Sequence, residues 1–285
     1  MADLITSARA KYAINQATFS SAEDTTISAL VTAVSKVVKR YCRREFDSQS
    51  FDELYNGSGD VRLVLDQYPI VSVARVATGV KAVLTVKNLS SSNQRATVAV
   101  TSTGLSLTRV ASGISSTDAS VTWASYATLN AVAAAVNALG NGWSASVPDA
   151  NDGLWASSDL RTPQGALNAK NVDAPLRIHA EDVADYEVDA ARGWLLRGHR
   201  GLTASLQVQP GGSLAWGWIP GVDNYRVSYT AGYATVPEEV QEACAQWVAH
   251  LFWQSKENPA VHPDSPTSTV ALLLDHYRRQ TAGRV

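Results

Sequence analysis

Sulfur is nearly absent from this 285-residue chain, which has two cysteines and one methionine. Two cysteines exclude a disulfide framework. Cys42 and Cys244 both fall inside apolar helical patterns, where a free thiol behaves as a small buried hydrophobe. Charge is scarce as well, at 18% of residues, below the roughly 25% of ordinary soluble domains. Neither sign dominates: 24 Lys and Arg stand against 26 Asp and Glu, a formal charge of −2. That balance excludes the large basic excess of a general nucleic-acid binder. No apolar run is long enough to cross a bilayer; the longest, around residues 129–139, is short and rich in Ala and Asn. The first residues, MADLITSARAKYAINQ, lack the apolar core of a secretory signal. We therefore expect a protein made and kept in a reducing cytosol, or in something assembled there. What is abundant is apolar residues, 45% of the chain, enough for a sizeable core.

Three textures follow one another. Residues 1–79 hold a strong helix over about 21–44. Ser20 and Ser21 precede Glu23 and Asp24 at capping-box spacing. Ile27, Leu30, Val31, Val34, Val38, Tyr41 and Cys42 then recur every three or four residues. A shorter helix is expected over 7–14. Residues 54–60 read as a turn, Val61, Leu63 and Leu65 as a strand stopped by Pro69, and Val71, Val73 and Val76 as another strand.

Residues 80–175 contain only six Lys and Arg and five Asp and Glu. Alternating runs at 82–86, 96–101, 105–110, 120–123 and 143–147 predict short strands. One helix is expected over about 127–139, ended by Gly140-Asn141-Gly142, and residues 149–153 and 162–171 read as loops. This stretch is an inserted β-rich domain, not a linker. Residues 176–285 resume with strands at 186–189 and 193–196, a Gly/Pro-rich segment at 199–221 and a strand at 225–229. Pro237 then opens a helix over 237–257, with Glu238 and Glu239 where the helix dipole favours acids. Val240, Cys244, Trp247, Val248, Leu251 and Phe252 mark its buried face. After a Pro-rich hinge, a last helix is expected over 268–280. The fold class is α+β.

Catalytic constellations are missing. The five histidines, His179, His199, His250, His262 and His276, include no i, i+4 pair, and there is no Cys-x-x-Cys, so no metal site is expected. Gly57-Ser58-Gly59 is a turn rather than a nucleophile elbow. The pairs Glu238/Glu239 and Asp182/Asp185 read as helix-start charge and solvated loop. We expect no catalytic residue and no cofactor. The run Lys36, Lys39, Arg40, Arg43 and Arg44 has two readings: a dipole-matched helix end, or a contact with an acidic partner or with DNA phosphates. Trp216-Gly217-Trp218 reads either as packing or as an interface.

The order of these elements resembles the head–tail connector (adaptor) proteins of long-tailed bacteriophages. ISALVTAVSKVVKRYCRREF, residues 27–46, is similar to that family's first long helix and its Tyr-x-x-Arg-x-Phe ending (Tyr41, Arg44, Phe46). Residues 54–76 resemble its turn, strand and Pro-Val-x-x-Val step around Pro69, and residues 185–198 its Tyr-x-Val-Asp…Gly-x-Leu strand pair. The most specific stretch runs from Tyr225 to Pro259, where Tyr229-x-Ala231-Gly232-Tyr233-x-x-Val236-Pro237 leads into an Ala-rich helix. Together these cover about two thirds of the chain. Residues 80–175 have no counterpart, because typical members pass almost directly between the flanking strands.

The resemblance implies a helical adaptor core with a small β-sheet, made of residues 1–79 and 176–285 and interrupted by the 80–175 insert. It implies a structural virion protein at the head–tail interface, assembled in the host cytoplasm into a ring, usually of twelve copies. The ring would dock on the portal protein, extend the DNA channel and carry the next neck or tail-completion protein. Its partners would thus be the portal, the neck component, other copies of itself and passing DNA without sequence specificity, with no membrane. The family's portal-reaching C-terminal segment maps onto residues 264–285, with Leu272, Leu273, Leu274 and Tyr277 as apolar anchors flanked by Arg278 and Arg279. Lys36, Lys39, Arg40, Arg43, His199 and Arg200 are candidates for subunit or channel contacts. The alternative is a carbohydrate- or host-surface-binding module carried by the insert, in which Trp123, Trp143 and Trp155 would stack on sugars.

Overall fold

The computed structural model describes residues 3–118, 120–160, 165–197, 217–257 and 268–279. Their helices are α1 (Ser7–Ile14), α2 (Ser21–Cys42), α3 (Leu129–Ala138), α4 (Glu238–Glu257) and α5 (Ser268–Asp275). Four of them form one layer. Ile27, Val31, Val34, Val38 and Cys42 of α2 bury against Val240, Cys244, Trp247, Val248 and Leu251 of α4, with Val270 and Leu274 of α5 closing the cluster. Each large side chain removed from water there contributes roughly 1.5–3 kcal/mol. Burial pushes both thiols, Cys42 and Cys244, up to about 12.

Local rules start and stop these helices. The Ser20 hydroxyl accepts the Glu23 N–H, while the Glu23 carboxylate accepts the Ser20 N–H at 2.8 Å, the reciprocal bonds of a capping box. Glu23 also meets Lys256 at the end of α4 at 2.9 Å. The Ser20 N–H first, then Lys256, Gln16 and the Ser20 hydroxyl, hold its carboxyl at about 2 instead of the ordinary 4.5. A depressed acid stabilises the fold above its unfolded pKa and loses that contribution as pH falls toward the folded one. Thermal midpoints of Glu23→Gln and the parent chain should therefore converge between about pH 4.5 and 2. A constant gap across that window would show that the capping carboxylate has no role in acid stability.

The strands are β1 (Gln49–Gly57), β2 (Arg62–Val64), β3 (Ile70–Asn88), β4 (Asn93–Val100), β5 (Gly104–Ala111), β6 (Ile114–Thr117), β7 (Val121–Thr122), β8 (Trp143–Ser146), β9 (Leu167–Asn168), β10 (Ala174–Asp182), β11 (Glu187–Asp189), β12 (Trp194–Leu196) and β13 (Gly221–Ala231). The class is α+β, but strand exceeds helix in the chain, and the part expected to be a helical core also carries most of the main sheet. The main antiparallel sheet runs β1-β13-β3-β10, with β8 also on β3. Small sheets β11-β12-β2 and β6-β5-β4-β9, the latter with β7 on β5, complete the fold.

The 19-residue β3 organises everything between the two ends of the chain. Its first half pairs with β13 and helps to enclose Tyr55, Leu65, Val76, Trp218, Tyr225 and Val227. Its second half pairs with β10 and β8 and encloses Val83, Leu84, Val98, Leu107, Leu129, Val136 and Leu176. The expected limits at 79/80 and 175/176 fall inside β3 and β10. The expected strands around 71–76 and 82–86 are one strand, with Gly79 at φ +68 in its middle.

The expected turn over 54–60 is corrected as well, because residues 54–57 belong to β1. Two acids hid this strand, since they break the apolar alternation, and the fold answers both. Asp52 accepts the Arg226 Nε–H at 2.8 Å and the Ser228 hydroxyl at 3.1 Å. Burial alone would raise the Asp52 carboxyl, yet Arg226 holds it below its usual range. Glu53 accepts two phenol hydroxyls, from Tyr55 and from Tyr229.

Candidate assembly surface

Several of the residues that carry the resemblance, Arg44, Phe46, Pro69, Gly232 and Tyr233, lie far apart in sequence and meet at one junction between the helical layer and the main sheet. Arg43 ends α2 in the left-handed region at φ 55, which turns the chain so that Arg44 points inward. Arg44 is buried. Its guanidinium lies 3.7 Å from the centroid of Tyr68 and within 5.4 Å of those of Phe46 and Tyr233, and it donates to the Tyr68 carbonyl just before Pro69. Backbone bonds lock the same corner. The Gly232 N–H donates to Pro69 O at 2.9 Å, Tyr233 N–H to Phe46 O at 2.8 Å, and Ser48 N–H to Tyr233 O at 3.1 Å.

A second set of bonds ties residues 66–67 to the sheet. Tyr55 Oη accepts the Asp66 N–H at 2.9 Å, Tyr229 Oη accepts the Gln67 N–H at 3.2 Å, and Gln67 Oε1 accepts the Glu45 N–H at 2.8 Å. Burial, with the neighbouring Glu53 carboxylate, pushes both phenols above their ordinary range. Pro237 accepts from Val240 and Gln241 at the start of α4.

The C-terminal segment joins this junction. Tyr277 packs its ring 6.1 Å from Phe46 and donates to Glu239 at 2.5 Å; burial first, then Glu239, pushes its phenol up to about 12. The Arg279 N–H donates to Cys42 O at 3.0 Å, and its guanidinium pairs with Asp66 at 2.6 Å. Leu274 is fully buried and Leu273 is partly buried against the same helices. Of the anchors expected within residues 264–285, Leu274 is thus buried, and Leu273 and Tyr277 are partly buried, inside their own subunit. Leu274, Tyr277 and Arg279 hold their own subunit together, because the apolar repeat of α5 fits the groove left by α2 and α4. Leu272, at 80% exposure, and Arg278 remain on the surface.

No family model matches the chain, and no curated protein matches it. Among the solved structures similar to this chain are two from gene transfer agent particles. One is a chain from the neck of an empty gene transfer agent particle computed with C6 symmetry: 12% identity over 99% of this chain and 94% of that one, TM-score 0.34. The other is a chain from the virion of the native gene transfer agent particle: 13% identity over 99% and 94%, TM-score 0.35. A likeness at that level decides nothing about function.

The basic run separates into two kinds of residue. Lys39 is buried and binds Glu45 at 2.7 Å and Asp47 at 3.2 Å, so it is removed from the candidate contacts. Burial alone would lower its ammonium, but those two carboxylates hold it above the ordinary value. Lys36, Arg40 and Arg43 are exposed. His199, Arg200 and Trp216 lie outside the described residues. Trp218 is fully buried and donates to Leu195 O at 3.1 Å, which gives the packing reading for that indole.

The insert's indoles do not form an open stacking platform. Trp143 is buried with its N–H on Asp118 at 2.5 Å, and Trp123 and Trp155 are half-buried. Among the described residues, no three of His, Cys, Asp and Glu come together as metal ligands, and no helix is long and apolar enough to cross a membrane.

Proposed function

We propose that this chain is a structural virion protein of the head–tail connector kind, forming a ring of about twelve copies on the portal vertex. The observation that supports this reading is the interlocking of the resembling segments. Tyr41, Arg44 and Phe46 from the helix end, Pro69 from the strand step, and Tyr229, Gly232 and Tyr233 before α4 occupy one corner of the fold or adjoin it. Motifs from distant segments that converge on one corner are what a shared architecture of this kind would require. In this reading the ring extends the channel through which DNA passes, and the next neck or tail component docks on it. The insert, held by β3 and β10, braces the neck from outside. The subunit has no catalytic role and no cofactor.

Leu272 is the apolar side chain of α5 left open for the portal. The test is to mix the purified chain with its portal ring and count subunits by electron microscopy. A stacked second ring is expected, lost in Leu272→Asp while the variant's melting temperature stays within about 2 °C of the parent, because an exposed position tolerates substitution. No association at any salt concentration would overturn the connector reading. A ring that forms with Leu272→Asp would keep the connector and move the docking site elsewhere.

A further inference from the structure

The insert leaves the main sheet through a narrow ribbon. β13 pairs with β3 over residues 70–77, and β8 pairs with it over residues 85–88. Between Thr78 and Leu84, among the described residues, the strand partner of β3 is β10 alone. Two strands without a third neighbour twist strongly and are marginally stable by themselves. This stretch also carries two irregularities. Gly79 stands at φ +68, and the register with β10 shifts between Leu176 and Arg177, a step that bends a strand. Alone, such a ribbon is a hinge.

A second connection crosses the joint. Residues 155–160 are anchored in the insert at both ends. The Leu129 N–H donates to Trp155 O at 3.1 Å and the Ser157 N–H to Ala127 O at 3.0 Å. The Ser157 hydroxyl donates to Tyr126 O at 2.6 Å, and Leu160 is buried in the insert's core. Between these anchors, Ser158 and Asp159 meet the main sheet. Arg226 of β13 donates to Asp159 O at 2.5 Å and to Ser158 O at 3.0 Å. Arg75 of β3 donates to the Asp159 carboxylate at 3.3 Å.

The two arginines are held ready for these contacts. Arg75 lies opposite Ser228 and Arg226 opposite Ala77, which sets them diagonally on one face of the sheet. Arg226 is fixed by both oxygens of Asp52, and Arg75 by Asp182 at 2.7 Å and by His179 O at 3.1 Å. The Arg226 side chain is only 13% exposed. Its fork reaches a carboxylate and two carbonyls at once, which a lysine does not do. Two other bonds secure only the root of the ribbon. The Thr78 hydroxyl donates to Asn224 O at 2.9 Å, and His179 Nε2 lies 3.0 Å from Asp223 O.

We propose that this joint is a locked hinge, in which residues 158–159 are a strap that Arg226 and Arg75 hold closed. With the strap closed, the insert is tied at the ribbon and at a point outside it, and two separated ties resist bending. With the strap released, only the ribbon remains, and the insert swings about Gly79 while its own core stays packed. Opening breaks polar contacts and leaves both apolar cores closed, as local openings below the global unfolding free energy do. The inference concerns the single subunit and holds whether or not a ring forms.

The test is a distance distribution between two spin labels on the full chain, at Tyr12→Cys on α1 and Ile114→Cys in the insert. Both positions are open, at 88% and 71% exposure, whereas Cys42 and Cys244 are fully buried and take up no label. The parent should give one narrow distribution. Arg226→Lys/Arg75→Gln should widen it at least about twofold, with amides of residues 158–160 exchanging at least about tenfold faster and those of α2 unchanged. If that variant melts early, Asp159→Asn, which leaves Asp52 its arginine, serves in its place and should widen the distribution less. The control Arg192→Gln, in the small sheet, should match the parent. A broad distribution in the parent, an unchanged width in both strap variants, equal widening in the control, or exchange that rises equally in α2 overturns the proposal.

Discussion

Gly232→Ala should lower the thermal midpoint by about 10 °C, a loss of roughly 3–5 kcal/mol. Gly232 sits at φ +115, a conformation that L side chains rarely adopt. A Cβ built there would lie 2.4 Å from Asp47 O and 2.8 Å from Ser48 N. Both are backbone atoms, so no rotamer change relieves the clash. Relief requires the two chains to separate, which lengthens the bonds from Gly232 to Pro69 and from Tyr233 to Phe46. Strain and overpacking thus add, each costing about 1–3 kcal/mol. Gly113→Ala is the matched control, since Gly113 has φ +75 but nothing within 4 Å of its Cβ position. It should lose only the strain, about 1 kcal/mol. Equal melting of the two variants would remove the close approach at Gly232 from the account.

Replacing Arg44 should cost nearly as much, and lysine should not rescue it. Arg44 is a buried cation with no carboxylate among the described residues. The faces of Tyr68, Phe46 and Tyr233 and the Tyr68 carbonyl hold it instead. A desolvated cation–π contact is worth about 2 kcal/mol and a hydrogen bond to a charged donor about 1.5–3. Arg44→Ala is therefore expected to lose roughly 3–4 kcal/mol in chemical denaturation. Arg44→Lys removes the planar stack and the fork of donors, and should still lose about 2 kcal/mol. A lysine variant as stable as the parent would mean that charge alone suffices there. Combined with Gly232→Ala, the losses should be less than additive, because both changes open the same corner.

How much of this could be read from the chain follows the range of the forces involved. Helix α1 runs over the expected 7–14, and the Ser20–Glu23 box opens α2 where the spacing places it, because capping is decided within four residues. The buried face of α4 was equally plain from its apolar repeat. Strand β1 was not, because Asp52 and Glu53 make sense only beside Arg226 and Tyr229, more than 170 positions away. The same holds for the cationic run. Its spacing cannot separate Lys39 and Arg44, which turn inward to Glu45 and to Tyr68, from Lys36, Arg40 and Arg43, which do not. Three leucines in a row on α5 could face a partner or the chain itself, and only the groove beside Cys42 decides for Leu274. The junction around Arg44 was visible as separate motifs, never as one place.

The pairing of β3 with β10 bears on how such a chain could have grown. Thr78 and Glu181 are cross-strand partners, as are Ala77 and Asp182. The insert therefore leaves and re-enters the sheet at adjacent positions, where an ordinary hairpin turn would close the shorter protein without moving any flanking residue. Beyond that point β3, β10 and β8 extend the existing ladder outward, and β4, β5, β6, β7 and β9 form a separate sheet. Lengthening β3 and β10 together at their far ends leaves the register of the part nearer the helices unchanged.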